Sequence, residues 1–154
     1  MKEFIKSILK MTPYRVIRAN ETNRFGAIDD QLLQLKNRDY QPQIIIDGGA
    51  HRGTFSLAAH KLWPNADFYL IDPQPACAEY LKILCKKMRF NFCFAALTDS
   101  ETAINGQIFL SDHDGPNTGA HVVQNTAATG ERTIEVPSIT LDKIFEGKEL
   151  NKSA

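Results

Sequence analysis

The sequence contains no uninterrupted apolar run of the roughly 20 residues that a membrane-spanning helix needs. It also lacks the apolar core and small-residue cleavage site of a secretion signal, because Lys6 and Lys10 interrupt the apolar residues near its start. These two absences predict a cytoplasmic protein without a membrane span.

Cysteine is scarce, and neither sign of charge is in excess. The 3 cysteines are widely spaced, odd in number and free of any C-x-x-C pair, which favours reduced thiols over a disulfide framework or a zinc site. Lysine plus arginine equals aspartate plus glutamate, 18 against 18, so nothing in the net charge points to a nucleic-acid partner. Of the 154 residues, 43% are hydrophobic, enough for one buried core.

Short apolar runs alternate with helical patterns along the chain. The spacing predicts helices over residues 24–37, 55–62 and 76–88, and strands over residues 43–47, 67–71 and 91–97. A strand–helix–strand–helix–strand order with short connections predicts a parallel, right-handed, doubly wound α/β sheet. Further on, the pattern predicts a pair of strands at 107–110 and 132–137, and a helix that begins at Leu141.

A glycine-rich turn, DGGAHRG, follows the first predicted strand at residues 47–53. Ligands of such sheets bind beyond the carboxyl ends of the strands, where glycine lets the backbone approach them closely. The dinucleotide pattern G-x-G-x-x-G fails at Ala50 when it is read from Gly48, and at His51 when it is read from Gly49.

The methyltransferase pattern acid-x-G-x-G-x-G fits this turn better. Asp47, Gly49 and Gly53 match it, and His51 replaces the middle glycine. An acid at the end of the strand would repel a pyrophosphate but suits an ammonium group, which S-adenosylmethionine carries. For His51 itself, lining the cofactor pocket and facing solvent are equally open.

Asp72 stands at the end of the second predicted strand and precedes Pro73. An acid there is placed to accept hydrogen bonds from both hydroxyls of a ribose, as in nucleotide-binding folds generally. The simpler alternative is a tight strand–helix turn and a surface Asp-Pro turn, with no ligand at either one.

Together these blocks resemble the FkbM family of methyltransferases over about residues 24–146. The family's D-x-G-A-N-x-G, acid-Pro, A-L-x-D and T-L-D motifs correspond to residues 47–53, 72–73, 96–99 and 140–142. His51 stands where the family usually has Asn, and Asp72 stands where Glu is commoner. The resemblance implies S-adenosylmethionine as cofactor and O-methylation of a sugar or natural-product hydroxyl. It implies these cofactor-binding residues: Asp47, Gly48, Gly49, Ala50, His51, Gly53, Asp72, Pro73 and the backbone at Ala96.

The same resemblance implies a Rossmann-like class I methyltransferase fold that is incomplete. The expected division is an N-terminal helical segment at 1–42, a partial cofactor-binding domain at 43–146 and a tail at 147–154. The family continues after the T-L-D helix with a strand like L-L-K-I-D-x-E-G-x-E, whereas this sequence ends EGKELNKSA. Without that strand, the edge of the Ile44–Ile46 strand is expected to be uncovered, which invites pairing with another chain. The isolated chain is then expected to be marginally stable, to self-associate or to need a partner.

No residue of the sequence is assigned as the general base, although His113 and His121 are suitable in type. Asp112, His113, Asp114 and His121 have no recognisable metal spacing, so no metal is expected. The expected partner is a small-molecule or glycan acceptor. Two other functions remain open: a non-catalytic remnant that binds cofactor or a partner, and half of a nicotinamide-dependent oxidoreductase.

Overall fold

The computed structural model describes residues 24–99, 107–111 and 132–146. The first 23 residues of the predicted N-terminal segment, the residues Asp112, His113, Asp114 and His121, and the predicted tail lie outside this part of the chain. The elements in order are α1 (Arg24–Asn37), β1 (Ile44–Gly48), α2 (Thr54–Leu62), β2 (Asp67–Ile71), α3 (Pro75–Met88), β3 (Asn91–Cys93), β4 (Ala96–Leu97), β5 (Gln107–Ser111), β6 (Thr133–Ile139) and α4 (Leu141–Phe145).

A three-stranded parallel sheet in the order β1-β2-β3 forms the centre of the fold. Ile44 pairs with Asp67 and Gly48 with Ile71, so β1 and β2 end at the same edge of the sheet. The chain is therefore mixed α/β, with a parallel sheet that is compatible with a Rossmann-like fold. The predicted strands over 43–47 and 67–71 are confirmed to within one residue.

Three helices pack on one face of this sheet, and a fourth contacts the other face. Side chains of α1, α2 and α3 share one core cluster with Ile45, Phe68 and Leu70. On the opposite face the ring of Tyr69 meets the ring of Phe145 in α4, edge-on at 5.1 Å. The helices predicted over 24–37, 55–62 and 76–88 are present, and the last two begin one residue earlier than expected.

The prediction of one continuous strand over 91–97 is wrong. The chain bends after Cys93, where the Ala95 N–H donates to the Cys93 carbonyl at 3.1 Å. Only Asn91–Cys93 pairs with β2, while Ala96–Leu97 pairs in parallel with the end of β6. The sequence at 91–97 could not reveal this break, because the residues on both sides of it are apolar.

The second sheet has the order β4-β6-β5, and β5 and β6 run antiparallel. It has its own small core of Ala96, Ile108, Leu110 and Val136. This sheet contains the predicted strand pair, which the structure extends to Ser111 and Ile139. The short helix α4 follows β6 at once, and the Thr140 hydroxyl caps it by accepting from the Lys143 N–H at 3.3 Å.

Candidate functional site

The turn between β1 and α2 is bound to the end of β2 through three successive backbone N–H groups. Those of Gly49 and Ala50 both donate to the Ile71 carbonyl, at 2.8 and 3.1 Å. The N–H of His51 donates to the carboxylate of Asp72 at 2.7 Å. The predicted glycine turn and the predicted strand-end acid are therefore brought together at one edge of the sheet.

Gly49 and Gly53 have different physical reasons for being glycine. Gly49 has a φ of 77°, is exposed, and has open space where a Cβ would point. Gly53 has a φ of 64°, and a Cβ there would lie 2.6 Å from the Cδ2 of Leu84 in α3. Gly53 therefore allows α2 to pack closely on α3, while Gly49 leaves free space on the open side of the turn.

His51 has left-handed backbone geometry, with a φ of 50°. Few residues tolerate this region of conformational space, but histidine and asparagine enter it more often than most. The middle position of acid-x-G-x-G-x-G thus corresponds here to a backbone that glycine would suit and that histidine accepts. The His51 side chain is half-buried.

Asp47 is half-buried at the end of β1, and it binds to the first turn of α2. Its Oδ2 accepts a hydrogen bond of 2.6 Å from the hydroxyl of Ser56, and its carboxylate also accepts from the Ser56 backbone N–H. Burial raises the pKa of the Asp47 carboxyl above its ordinary value, the two bonds from Ser56 lower it, and the charge of Asp72 raises it further.

Asp72 is buried, with 1% of its surface exposed. Its Oδ2 accepts from the N–H of His51, and its Oδ1 accepts from the N–H of Gln74 at 2.9 Å. The following Pro73 is half-buried and leads into α3. The acid predicted to bind a ribose therefore bonds to two backbone amides and does not reach the surface.

Ala96 lies in β4, where it is buried and pairs with Ser138 of β6. The next residue, Leu97, contacts the turn: a Cβ added to Gly48 would lie 3.2 Å from the Leu97 Cδ2. The motif at residues 96–99 is thus close to the glycine-rich turn at Leu97, whereas Ala96 itself belongs to the second sheet.

Ser56 is the site residue that the sequence analysis missed. It is fully buried on α2, at the N-terminal end of the helix that follows the turn. A signal was available, because Ser56 is a polar residue among the apolar side chains of that helix, and a buried hydroxyl needs a hydrogen-bond partner. Asp47 is this partner, but the sequence does not show it because the two residues are separated along the chain.

A cavity of about 300 Å³ lies between the β2–β3 face of the sheet and α4. Tyr69, Ile71 and Cys93 line its sheet side, and Lys143 and Ile144 line its helix side. Burial raises the pKa of the Cys93 thiol, and it raises that of Cys85 to about 11. Both thiols are therefore protonated near neutral pH, which does not suit a nucleophile.

Within the described residues, no group of three or more His, Cys, Asp or Glu side chains is arranged to hold a metal ion. None of the helices in the described ranges combines the length and the apolar character needed to cross a bilayer.

Comparison of the chain with protein-family models, with curated proteins and with solved structures finds no match. The fold and the geometry of the turn are therefore the basis for a functional proposal.

Proposed function

We propose that this chain binds S-adenosylmethionine at the turn between β1 and α2, and that the bound cofactor serves methyl transfer to a hydroxyl group. The observation that supports this most is the open space beside Gly49, two residues along the chain from the half-buried carboxylate of Asp47. Both lie at the carboxyl end of a parallel sheet, which is the usual location of ligands in this class of fold.

The charge at this edge of the sheet favours a cationic group over an anionic one. Asp72 is close enough for its charge to raise the pKa of Asp47. A cation beside Asp47 would stabilise the ionised carboxylate that burial disfavours. The amino-acid part of S-adenosylmethionine offers an ammonium group, whereas the pyrophosphate of a dinucleotide would add negative charge to this edge.

The residues of the turn would have distinct tasks in holding this cofactor. Asp47 would bind the ammonium group, and Ser56 would hold the Asp47 carboxylate in place. The backbone at Gly48 and Gly49 would pack against the ligand, because both residues are exposed and carry no side chain of their own. Once bound, S-adenosylmethionine supplies an electrophilic methyl group on its sulfonium. The acceptor class, a sugar or natural-product hydroxyl, is inferred only from the sequence motifs.

Calorimetric titration with S-adenosylhomocysteine tests the proposal. We expect a dissociation constant in the micromolar range. Asp47→Asn should bind at least about tenfold more weakly, because it loses the charge that would bind the ammonium group. A factor of ten corresponds to about 1.4 kcal/mol. Asp67→Asn is the matched control, because Asp67 is exposed at the other end of the same sheet. A folded chain that binds NAD in preference, or neither ligand, would contradict the proposal.

Methyl transfer is tested separately from binding. The chain is incubated with methyl-labelled S-adenosylmethionine and a panel of sugar and natural-product hydroxyl acceptors, and transfer of the label is measured. Labelled product that requires Asp47 would support the full proposal. Binding without transfer to any hydroxyl acceptor would favour the non-catalytic, cofactor-binding alternative.

A further inference from the structure

The carboxylate of Asp72 has no open side from which a ligand approaches. Only 1% of the residue is exposed, and each of its oxygens already accepts a hydrogen bond from a backbone N–H. A ribose hydroxyl is about as large as a water molecule. It therefore cannot reach a carboxylate that solvent does not reach unless the surrounding backbone moves.

The bonds of Asp72 join two turns that belong to different parts of the chain. Through Oδ2 it holds His51 in the turn after β1, and through Oδ1 it holds Gln74 at the start of α3. His51 has a φ of 50°, a conformation that is unfavourable for a residue with a side chain. A charge-assisted bond to its N–H is a strong interaction that stabilises this conformation.

The contacts of the neighbouring amides point in the same direction. Gly49 and Ala50 are bound to the Ile71 carbonyl, so the amides of three successive turn residues are held by two successive residues at the end of β2. Without the Asp72 carboxylate, the third of these bonds would be lost, and with it the restraint on His51. The shape of the turn beside Gly49 therefore depends on Asp72.

We infer that Asp72 is a positioning residue, which holds the turn after β1 in its binding geometry through the His51 N–H, and that it does not accept hydrogen bonds from the cofactor ribose. The part that concerns the ribose rests on the proposed function. The positioning role of Asp72 in the turn applies to the ligand-free chain and does not depend on the proposed function.

Amide hydrogen exchange in the ligand-free chain, followed by nuclear magnetic resonance, tests the positioning role. In Asp72→Ala we expect exchange at His51 to be at least about tenfold faster, and to accelerate by a larger factor than exchange at Ile45 in the core of the sheet, because a stable local hydrogen bond is what protects the His51 amide. Asp72→Asn keeps one oxygen acceptor and should give an intermediate rate. Asp67→Asn is the charge-matched control. An unchanged His51 rate in both Asp72 variants would overturn the inference.

The ribose is tested by titrating the wild type and Asp72→Asn with S-adenosylhomocysteine and with its 2′,3′-dideoxy analogue. The inference predicts that the variant loses affinity for both ligands by the same factor, within about twofold, because the two changes are then independent. A preference for the hydroxylated ligand that is present in the wild type and absent in the variant would assign the ribose to Asp72 and overturn the inference. If the wild type binds neither ligand, the proposed function fails, and the exchange rates alone decide the role of Asp72.

Discussion

The hydroxyl of Ser56 donates a hydrogen bond of 2.6 Å to the carboxylate of Asp47 and joins the end of β1 to the first turn of α2. Ser56 is fully buried and Asp47 is half-buried, so the bond is largely shielded from water. Gly53 is the N-cap of α2 and offers no side-chain cap, and the Asp47 carboxylate accepts a bond from the Ser56 backbone N–H in the first turn, so Asp47 is also a negative charge at a helix start.

Removal of this hydroxyl should destabilise the chain. For Ser56→Ala we expect a loss of about 1.5–3 kcal/mol in the free energy of unfolding, because a hydrogen bond to a partly buried carboxylate is broken. Urea unfolding followed by circular dichroism measures it. Thr54→Ala is the control, since Thr54 is an exposed hydroxyl residue on the same helix. Equal stabilities of the two variants would show that the Ser56–Asp47 bond contributes nothing.

The raised pKa of Asp47 predicts a specific dependence of stability on pH. The folded chain holds the Asp47 proton more tightly than the unfolded chain, whose carboxyl titrates near 3.8. The contribution of Asp47 to stability is therefore greatest below that pH, and it falls as the pH rises from there through the folded-state pKa. In Asp47→Asn this fall is absent, because the amide does not titrate.

The measurement is the stability of Asp47→Asn minus that of the wild type, obtained by urea unfolding at a series of pH values between about 3 and 7. We expect the difference to shift in favour of the variant as the pH rises through the window above 3.8, and then to level off. A difference that shifts in favour of the wild type with rising pH would mean that the folded-state pKa of Asp47 is lowered.

Substitution of the two positive-φ glycines should separate backbone strain from packing. Gly49→Ala meets no neighbouring atom and should lose about 1–2 kcal/mol from left-handed geometry alone. Gly53→Ala has the same strain, and its Cβ would also lie 2.6 Å from the Leu84 Cδ2, so it should be the more destabilising change. Thermal unfolding ranks the variants. The effects of Gly53→Ala and Leu84→Ala on stability should not add up in the double variant, whereas the effects of Gly49→Ala and Leu84→Ala should.

The outer edge of β1 is predicted to pair with another chain. The backbone groups of this segment point toward β2 at alternate residues. The Asp67 N–H donates to the Gln43 carbonyl, and the Gly49 N–H donates to the Ile71 carbonyl. The backbone groups of Ile44, Ile46 and Gly48 therefore point to the other side, where none of the described strands is hydrogen-bonded to β1. An apolar strand with such groups unpaired promotes association between chains.

Light scattering at increasing protein concentration tests this association. We expect the wild type to exceed the mass of one chain, and Ile44→Pro to do so less, because proline removes an outward donor and leaves the ladder to β2 in place. Leu35→Lys is the control, since it removes an exposed apolar side chain that belongs to α1 and not to β1. A wild type that remains monomeric at every concentration would rule out the pairing.

Much of the central sheet was predictable because its signals are local. The runs at 43–47 and 67–71 are short, apolar and bounded by turn residues, and Phe55, Ala58, Ala59 and Leu62 recur at helical spacing and pack together in the core. The break after Cys93 was not predictable, because both sides of it are apolar. Strand β4 takes a different partner from β3, and pairing partners are decided by residues far away in the chain.

For the site, the sequence by itself determined which residues stand at the ends of β1 and β2 and that the turn after β1 is rich in glycine. These are properties of neighbouring residues, and periodicity and turn chemistry report them directly. Only the tertiary structure decided that Ser56 holds Asp47 and that Asp72 is buried on the amides of His51 and Gln74. Burial and hydrogen-bond partners depend on how separate segments pack together, and no local pattern encodes that.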